Sequence, residues 1–304
     1  LLPVIGKTDV ERRQMINALG PIWDGNEVWM ITAGGALFAS FPHVYATLFS
    51  GFYMALFLML AVLIMRGVAF EFRSKSANRT WRKVFDYCIF IGSIVPALLW
   101  GVTVGNLIQG TPIDETMTYV GTFWDLLSPY TVLCGVAFIL VFTYHGGLFT
   151  SLKTAGPVSE RARAAALVTG VPTAIGVIAL IITSYVCTDL YNSTLAIVFC
   201  ALAVVCFLIS WGATRTRNTK WGFLFSSLSI ILITATYFAG LFPRIMVSSL
   251  NPAWSLTITN TSSSEYTLAL MTAVAAVFVP IVLAYQIWVY WIFRHRVTEK
   301  DLHY

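Results

Sequence analysis

Long uncharged runs alternate along this chain with short links that carry most of its charge. Seven runs are long enough to cross a bilayer, at about 45–70, 85–107, 127–150, 163–187, 190–212, 221–242 and 267–293, since a spanning helix needs about 20 apolar residues. The runs are continuous, whereas a closed β-barrel would show short alternating segments. In lipid each span must satisfy its own backbone hydrogen bonds, which helices do. Thr122 with Asp125, before the third run, and Ser262 with Glu265, before the last, read as capping boxes or as chance occurrences of a common spacing.

The links alternate in sign. Segment 71–84 holds Arg73, Lys75, Arg79, Arg82 and Lys83, whereas 108–126 holds Asp114, Glu115 and Asp125 with no Lys or Arg. Segments 151–163 and 213–220 and the C-terminal tail are again basic, while the link near 187–190 holds Asp189 and segment 243–266 a single Arg244. The positive-inside rule puts the basic links and the tail in the cytoplasm. Counting back through seven spans starts residues 1–44 on the outer side, although Lys7, Arg12 and Arg13 run against that. The sequence begins at Leu1, and one more helix before it would give eight spans with both ends inside.

Residues 28–65 are almost entirely uncharged. That is too long for one span and awkward for two. Pro42 disfavours a helix running through "FPHVY" at 41–45, so residues 17–42 read as holding a separate short helix or re-entrant element, centred on 24–40. Gly34, Gly35 and Ala36 give it a thin face that a neighbour can approach closely, and it is expected to lie against a partner surface.

At the head of this element, "WDGNEVW" sets Trp23, Asp24, Gly25, Asn26, Glu27 and Trp29 against the apolar run. Asp24 has two readings that do not exclude each other. It is an N-cap with Glu27 completing a capping box, or a carboxylate in a partly dry site whose raised pKa suits proton transfer. Trp23 and Trp29 fit an interfacial aromatic belt. Arg66, near the end of the first run, either snorkels to the interface or meets a buried ion partner.

Composition narrows the class. Hydrophobic residues make up 58% of the 304 and charged residues 11%, against about 25% charged in a soluble domain. The formal net charge of +5 is accounted for by the basic links, so nucleic acid is not implied. The five cysteines show no C-x-x-C spacing, which argues for neither a disulfide framework nor a zinc site. Of the four histidines, His295 and His303 sit in the tail, His43 follows Pro42, and His145 alone lies in a run. A satisfied polar tip is the simpler reading of His145 than an axial haem ligand, and no metal site is predicted. The pattern therefore describes an all-α integral membrane protein, a polytopic helical bundle forming one domain over 1–304. It serves either a stand-alone transporter or channel, or a scaffold subunit whose chemistry lies on another chain. The clean spans favour the scaffold.

The motifs also carry a resemblance. "ERRQMINALGPIWDGNEVWMITAGGALFASFPHVYATLFSGFYMALFLML" at 11–60, "AFEFRSK" at 69–75, "FIGSIVPALLWGVTVGNLIQG" at 90–110 and "LLSPYTVLCGV" at 126–136 are similar to subunit II of bacterial cytochrome bd-type quinol oxidases. "FSSLSI" at 225–230, "FPRIMVSS" at 242–249 and "SSSEYTLALMT" at 262–272 continue the likeness. The resemblance implies two four-helix bundles, with the first helix of the family missing from this chain. It implies a bacterial cytoplasmic-membrane complex that oxidises quinol and reduces dioxygen to water. Haem b and haem d would be held by subunit I, which this subunit would stabilise. A structural quinone and a small accessory subunit occur in some members. Carried onto this sequence, the motif W-D-G-N-x-V-W assigns Asp24 to a proton path facing subunit I, with Trp23, Gly25, Asn26 and Trp29 at the subunit interface. Glu27 stands where some relatives have glutamine, and Arg66 is given a structural or electrostatic role.

Overall fold

The computed structural model describes residues 1–302; His303 lies outside them. Two short helices, α1 (Leu2–Ile5) and α2 (Asp9–Leu19), come first. The stretch that was awkward to divide holds α3 (Trp23–Ser40), α4 (Pro42–Gly51) and α5 (Tyr53–Phe72). Six long helices follow: α6 (Arg79–Gln109), α7 (Pro129–Lys153), α8 (Pro157–Cys187), α9 (Thr194–Arg215), α10 (Thr219–Leu241) and α11 (Glu265–Ile292). Between α10 and α11, β1 (Arg244–Met246) pairs antiparallel with β2 (Leu256–Thr257). Among the described residues, seven helices are long and apolar enough to cross a membrane: α5 with the turn that follows it, and α6 to α11.

Three local expectations are corrected. The run at about 45–70 is two helices, because Pro42 starts α4 in the first helical position that suits proline and the chain turns at Phe52 to begin α5. Hydropathy cannot see that joint, since both sides are apolar. The Thr122–Asp125 box forms, with Thr122 N–H donating to Asp125 Oδ2 at 2.6 Å, but it closes a single 3₁₀ turn, Phe123–Leu126. The cap of α7 is Ser128, whose Oγ accepts from Thr131 N–H at 3.1 Å just ahead of Pro129. At α11 the cap is Ser264 rather than Ser262, and Glu265 is the first helical residue.

The expected outer placement of the N-terminal segment is also overturned. Arg12 Nη1 lies 2.7 Å from Asp86 Oδ2, and Arg73 binds Asp86 through Nε at 2.5 Å and Asp9 through Nη2 at 3.0 Å. Arg161 pairs with Glu11, and Gln14 Nε2 donates to the carbonyls of Ala155 and Val297. Val297 N–H in turn donates to Lys153 O at 2.7 Å. α2 therefore sits with the basic links and the tail, which explains Lys7, Arg12 and Arg13. At the other end Ser263 N–H donates to Ser40 O at 2.9 Å, and Val44, Phe52, Ile113, Leu126, Met246 and Leu256 form a buried cluster. So α3 runs from the basic end to the opposite end. Its 18 residues span about 27 Å at ~1.5 Å per residue, close to the ~30 Å of a hydrocarbon core. The polar head lowers its average hydropathy, and missing this helix reversed the inferred side of everything before it.

Small residues let the long helices touch. A Cβ on Gly101 of α6 would fall 2.5 Å from Cys134 O and 2.6 Å from Gly135 Cα of α7, so the two backbones are in contact. Val158, Ala162 and Ala166 on α8 are completely buried, the two alanines against Gly147 of α7. Hydroxyls join the other pairs: Ser210 Oγ donates to Gly222 O at 2.6 Å and Ser229 Oγ to Ala203 O at 2.8 Å between α9 and α10. Tyr144 OH lies 2.7 Å from Ser210 Oγ, joining α7 to α9. Helices α7 to α10 thus close into a four-helix bundle, each packed on two of the others. The other half is open: neither α3 nor α11 has a fully buried residue.

Gly101→Val should force α6 from α7 at a cost of at least about 1–3 kcal/mol, read as a lower thermal midpoint of the purified complex. Gly212→Ala, which meets nothing within 4 Å, should leave the midpoint unchanged. Partial burial pushes the Glu11 carboxyl upward, but hydrogen bonds from Thr8, Arg161 and Lys7 outweigh it and hold its pKa below the ordinary carboxylate value. A depressed folded-state pKa contributes stability above the unfolded value that is lost as pH falls through the folded one. Amide-exchange protection of α2 should therefore decline on acidification below the usual carboxylate range, and Glu11→Gln should make that decline shallower.

Candidate functional site

The head of α3 presents three faces. Positions 23, 27 and 30 share one face at helical spacing, and it packs on α5. The Trp23 ring stands 5.4 Å from the Phe70 ring and rests over Gly67, where a Cβ would come within 3.1 Å of it. Glu27 forms an ion pair with Arg66, with both side chains about one-fifth exposed. Met30 packs on the cluster of Ala55, Met59 and Leu99. Arg66 is wedged above Gly92 of α6, where an added Cβ would lie 2.6 Å from Arg66 Cβ. Its Nε has no hydrogen-bond acceptor.

The second face meets α11. Asn26 Nδ2 donates to Tyr290 OH at 3.0 Å, and Gln286 Nε2 donates to Gly25 O at 3.3 Å. A Cβ at Gly25 would fall 2.9 Å from Gln286 Nε2, so a larger residue there would have to push the amide aside and break this hydrogen bond. Trp29 is half-buried on the same side. The third face is uncovered: Asp24, Val28, Ile31 and Phe38 are all exposed, Ile31 by 72%. Among the described residues, Asp24 finds no side-chain hydrogen-bond or ion-pair partner. It is the second residue of α3, whose N-cap is Ile22 without a side-chain cap bond. The expected Asp24–Glu27 capping box therefore does not form. Glu27 is instead committed to Arg66, which decides between the two readings of that arginine in favour of an ion pair.

The predicted residues thus gather on one helical head, but they point in different directions. Gln286 and Tyr290 were missed, although a glutamine followed four residues later by a tyrosine, inside an otherwise apolar run, marks one helix face. The network of Asp9, Arg12, Arg73, Arg82 and Asp86 was missed too. Its signal was Asp86, a charge at the edge of a predicted span.

A membrane-spanning helical bundle with a polar helix head at one uncovered edge is the framework of a subunit. Comparison with known proteins agrees. The sequence model described as cytochrome bd terminal oxidase subunit II matches residues 1–293, and the chain belongs to that family. It is 40% identical to cytochrome bd-I ubiquinol oxidase subunit 2 of Escherichia coli K12, over 98% of this chain and 88% of that protein. It is 38% identical to cytochrome bd ubiquinol oxidase subunit 2 of Bacillus subtilis, with the same coverage. A probable cytochrome oxidase subunit 2 of Haemophilus influenzae is 40% identical over 95% of this chain and 86% of its own length. The bd oxidase structure from Geobacillus thermodenitrificans superposes with a TM-score of 0.72 over 95% of this chain and 88% of that one, at 15% identity, and so shares the fold. The protein is accordingly a multi-pass component of the bacterial cytoplasmic membrane.

Glu27→Gln should leave Arg66 half-buried without its counter-charge and lower the thermal midpoint of the complex, at a cost of about 1–3 kcal/mol. Arg66→Gln should do the same, and the double variant should lose less than the sum of the two, since the residues act as a pair. Strict additivity would refute the coupling.

Proposed function

We propose that this chain is the haem-free subunit of a quinol-oxidising, dioxygen-reducing complex, that it braces the haem-bearing subunit I, and that it lends Asp24 to a proton path along their seam. One observation carries the reading. Among the described residues, Asp24 stands without a partner at the basic end of an otherwise apolar stripe, Val28, Ile31 and Phe38, that none of them covers. Contiguous apolar surface of this kind marks an interaction face. A partner helix laid over it would take the carboxylate partly out of water, and desolvation raises a carboxylate's pKa toward the range useful for proton exchange. Such a group takes a proton at the water-facing end of α3 and passes it along the seam.

The haem-bearing partner, with haem b and haem d, would supply the electron transfer from quinol to dioxygen. Among the described residues, the histidines of this chain are not arranged to hold a haem. His145 commits Nδ1 to Ser226 Oγ at 2.6 Å and stacks on Phe223 at 4.6 Å, as a packed polar core residue does. His43 and His295 are exposed. Among the described residues no three His, Cys, Asp or Glu side chains converge on a metal position. A structural quinone has a better fit. The α7–α10 bundle encloses an apolar cavity of about 320 Å³ with Phe138, Ile181 and Phe207 on its walls and the hydroxyls of Tyr130, Ser184 and Tyr237 at its margin. Pro129–Cys187 and Thr194–Leu241 would there hold an aromatic head and an isoprenoid tail. Family membership decides against a stand-alone transporter or channel.

Asp24→Asn should preserve expression, haem content and the visible spectrum of the purified complex while slowing quinol-driven oxygen consumption about tenfold or more, as loss of a general acid–base group does. Unchanged turnover would remove Asp24 from the path. Loss of haem would give the residue a structural role instead.

A further inference from the structure

The basic end of the molecule holds a cleft of about 550 Å³ beneath α2, between the end of α5 and the start of α6. Six cations line it, Lys7, Arg12, Arg73, Arg79, Arg82 and Lys83, against two carboxylates, Asp9 and Asp86, a formal excess of +4. The carboxylates are already shared. Asp86 is held by Arg12 and Arg73, and Asp9 by Arg73 and Arg82 at 2.7 Å. Among the described residues, Lys7, Arg79 and Lys83 form no salt bridge with a carboxylate. Arg73 is only 1% exposed, yet its Nη1 has no hydrogen-bond partner. A buried guanidinium N–H left unpaired is costly, and the surrounding charge makes an anion its natural acceptor. Arginine forks match phosphoryl oxygens in geometry, and lysines add point charge at the rim.

The cleft also borders an exposed apolar stripe. Tyr87, on its wall, is 54% exposed and stands in line with Val84 and Ile91, both about half exposed on the outer side of α6. The stripe 84, 87, 91 follows helical spacing and leads from the cleft into the apolar band. Trp81 and Phe72, 40% and 50% exposed, flank it at the level where aromatic side chains meet headgroups.

We propose that this cleft binds a phosphoryl anion, with Arg73 as the buried anchor and Arg79 and Lys83 as rim contacts, and that the phosphoryl group reaches it from an anionic phospholipid headgroup or from free phosphate. The site is separate from the α3 head and does not depend on the role assigned to Asp24.

The test uses the intact oxidase complex, stripped of lipid in detergent. It is titrated with phosphatidylglycerol, phosphatidylcholine or inorganic phosphate, and read by native mass spectrometry and by the thermal midpoint. Arg79→Gln/Lys83→Gln is the variant, since neither residue takes part in the ion pairs that fold the cleft. Saturable binding of phosphatidylglycerol that raises the midpoint, and that weakens roughly 30-fold in the variant at ~1 kcal/mol per removed cation, supports a headgroup site. The same response to inorganic phosphate supports a site for the free anion. Equal binding of phosphatidylcholine and phosphatidylglycerol, or a variant that matches the wild type in every titration, overturns the proposal.

Discussion

The position of the α3 head is set by a guanidinium taken out of water. Arg73 ends α5, Asp86 lies in the first turns of α6, and Asp9 and Arg12 belong to α2, so three helices meet in one ionic knot. Three residues beyond α2 the chain enters α3. The knot therefore fixes where α3 begins, and with it the register that seats Trp23 on Phe70 and Glu27 on Arg66. Desolvating charges of this kind is expensive, and their net contribution to stability is commonly small. Here each carboxylate accepts from two different arginines, which ties α2, α5 and α6 to one another at this end.

The two halves of the molecule use different physics. In α7–α10, glycine, alanine and serine allow close approach, and short hydroxyl bonds replace the hydrophobic drive that lipid cannot supply. That half is complete within itself. In the other half, α11 exposes nearly everything it carries and leans chiefly on α3, which itself leaves one face open. An integral protein tolerates such exposure in lipid.

Much of this was legible in the residues. Continuous apolar runs gave the long helices, and the alternation of basic and acidic links gave their order through the membrane. The failures have a common source: averages hide local polarity. α3 begins with Asp, Asn and Glu, so its mean hydropathy falls short although its length is sufficient. Overlooking it put α2 on the wrong side, a mistake that Lys7, Arg12 and Arg13 had already signalled. α4 was merged with α5 because a turn at Phe52 leaves no polar mark. At the site, W-D-G-N-x-V-W located the right helix head, but only the coordinates divide it into an α5 face, an α11 face and an open face. The arginine cleft needed two separated segments, 3–12 and 73–87, to be brought together, and no local pattern shows that.

The hydrogen bond between Asn26 and Tyr290 joins residues 264 positions apart. A ribosome must therefore deliver almost the whole polypeptide before the helix that begins with Trp23 gains its last neighbour. Until then that segment rests on α4, α5 and α6, and the side that carries Gly25 lies bare. Completion of this contact is thus a late event in biogenesis: a chain that lacks its last helix leaves the Gly25 and Asn26 side of that segment without its hydrogen-bonding neighbours.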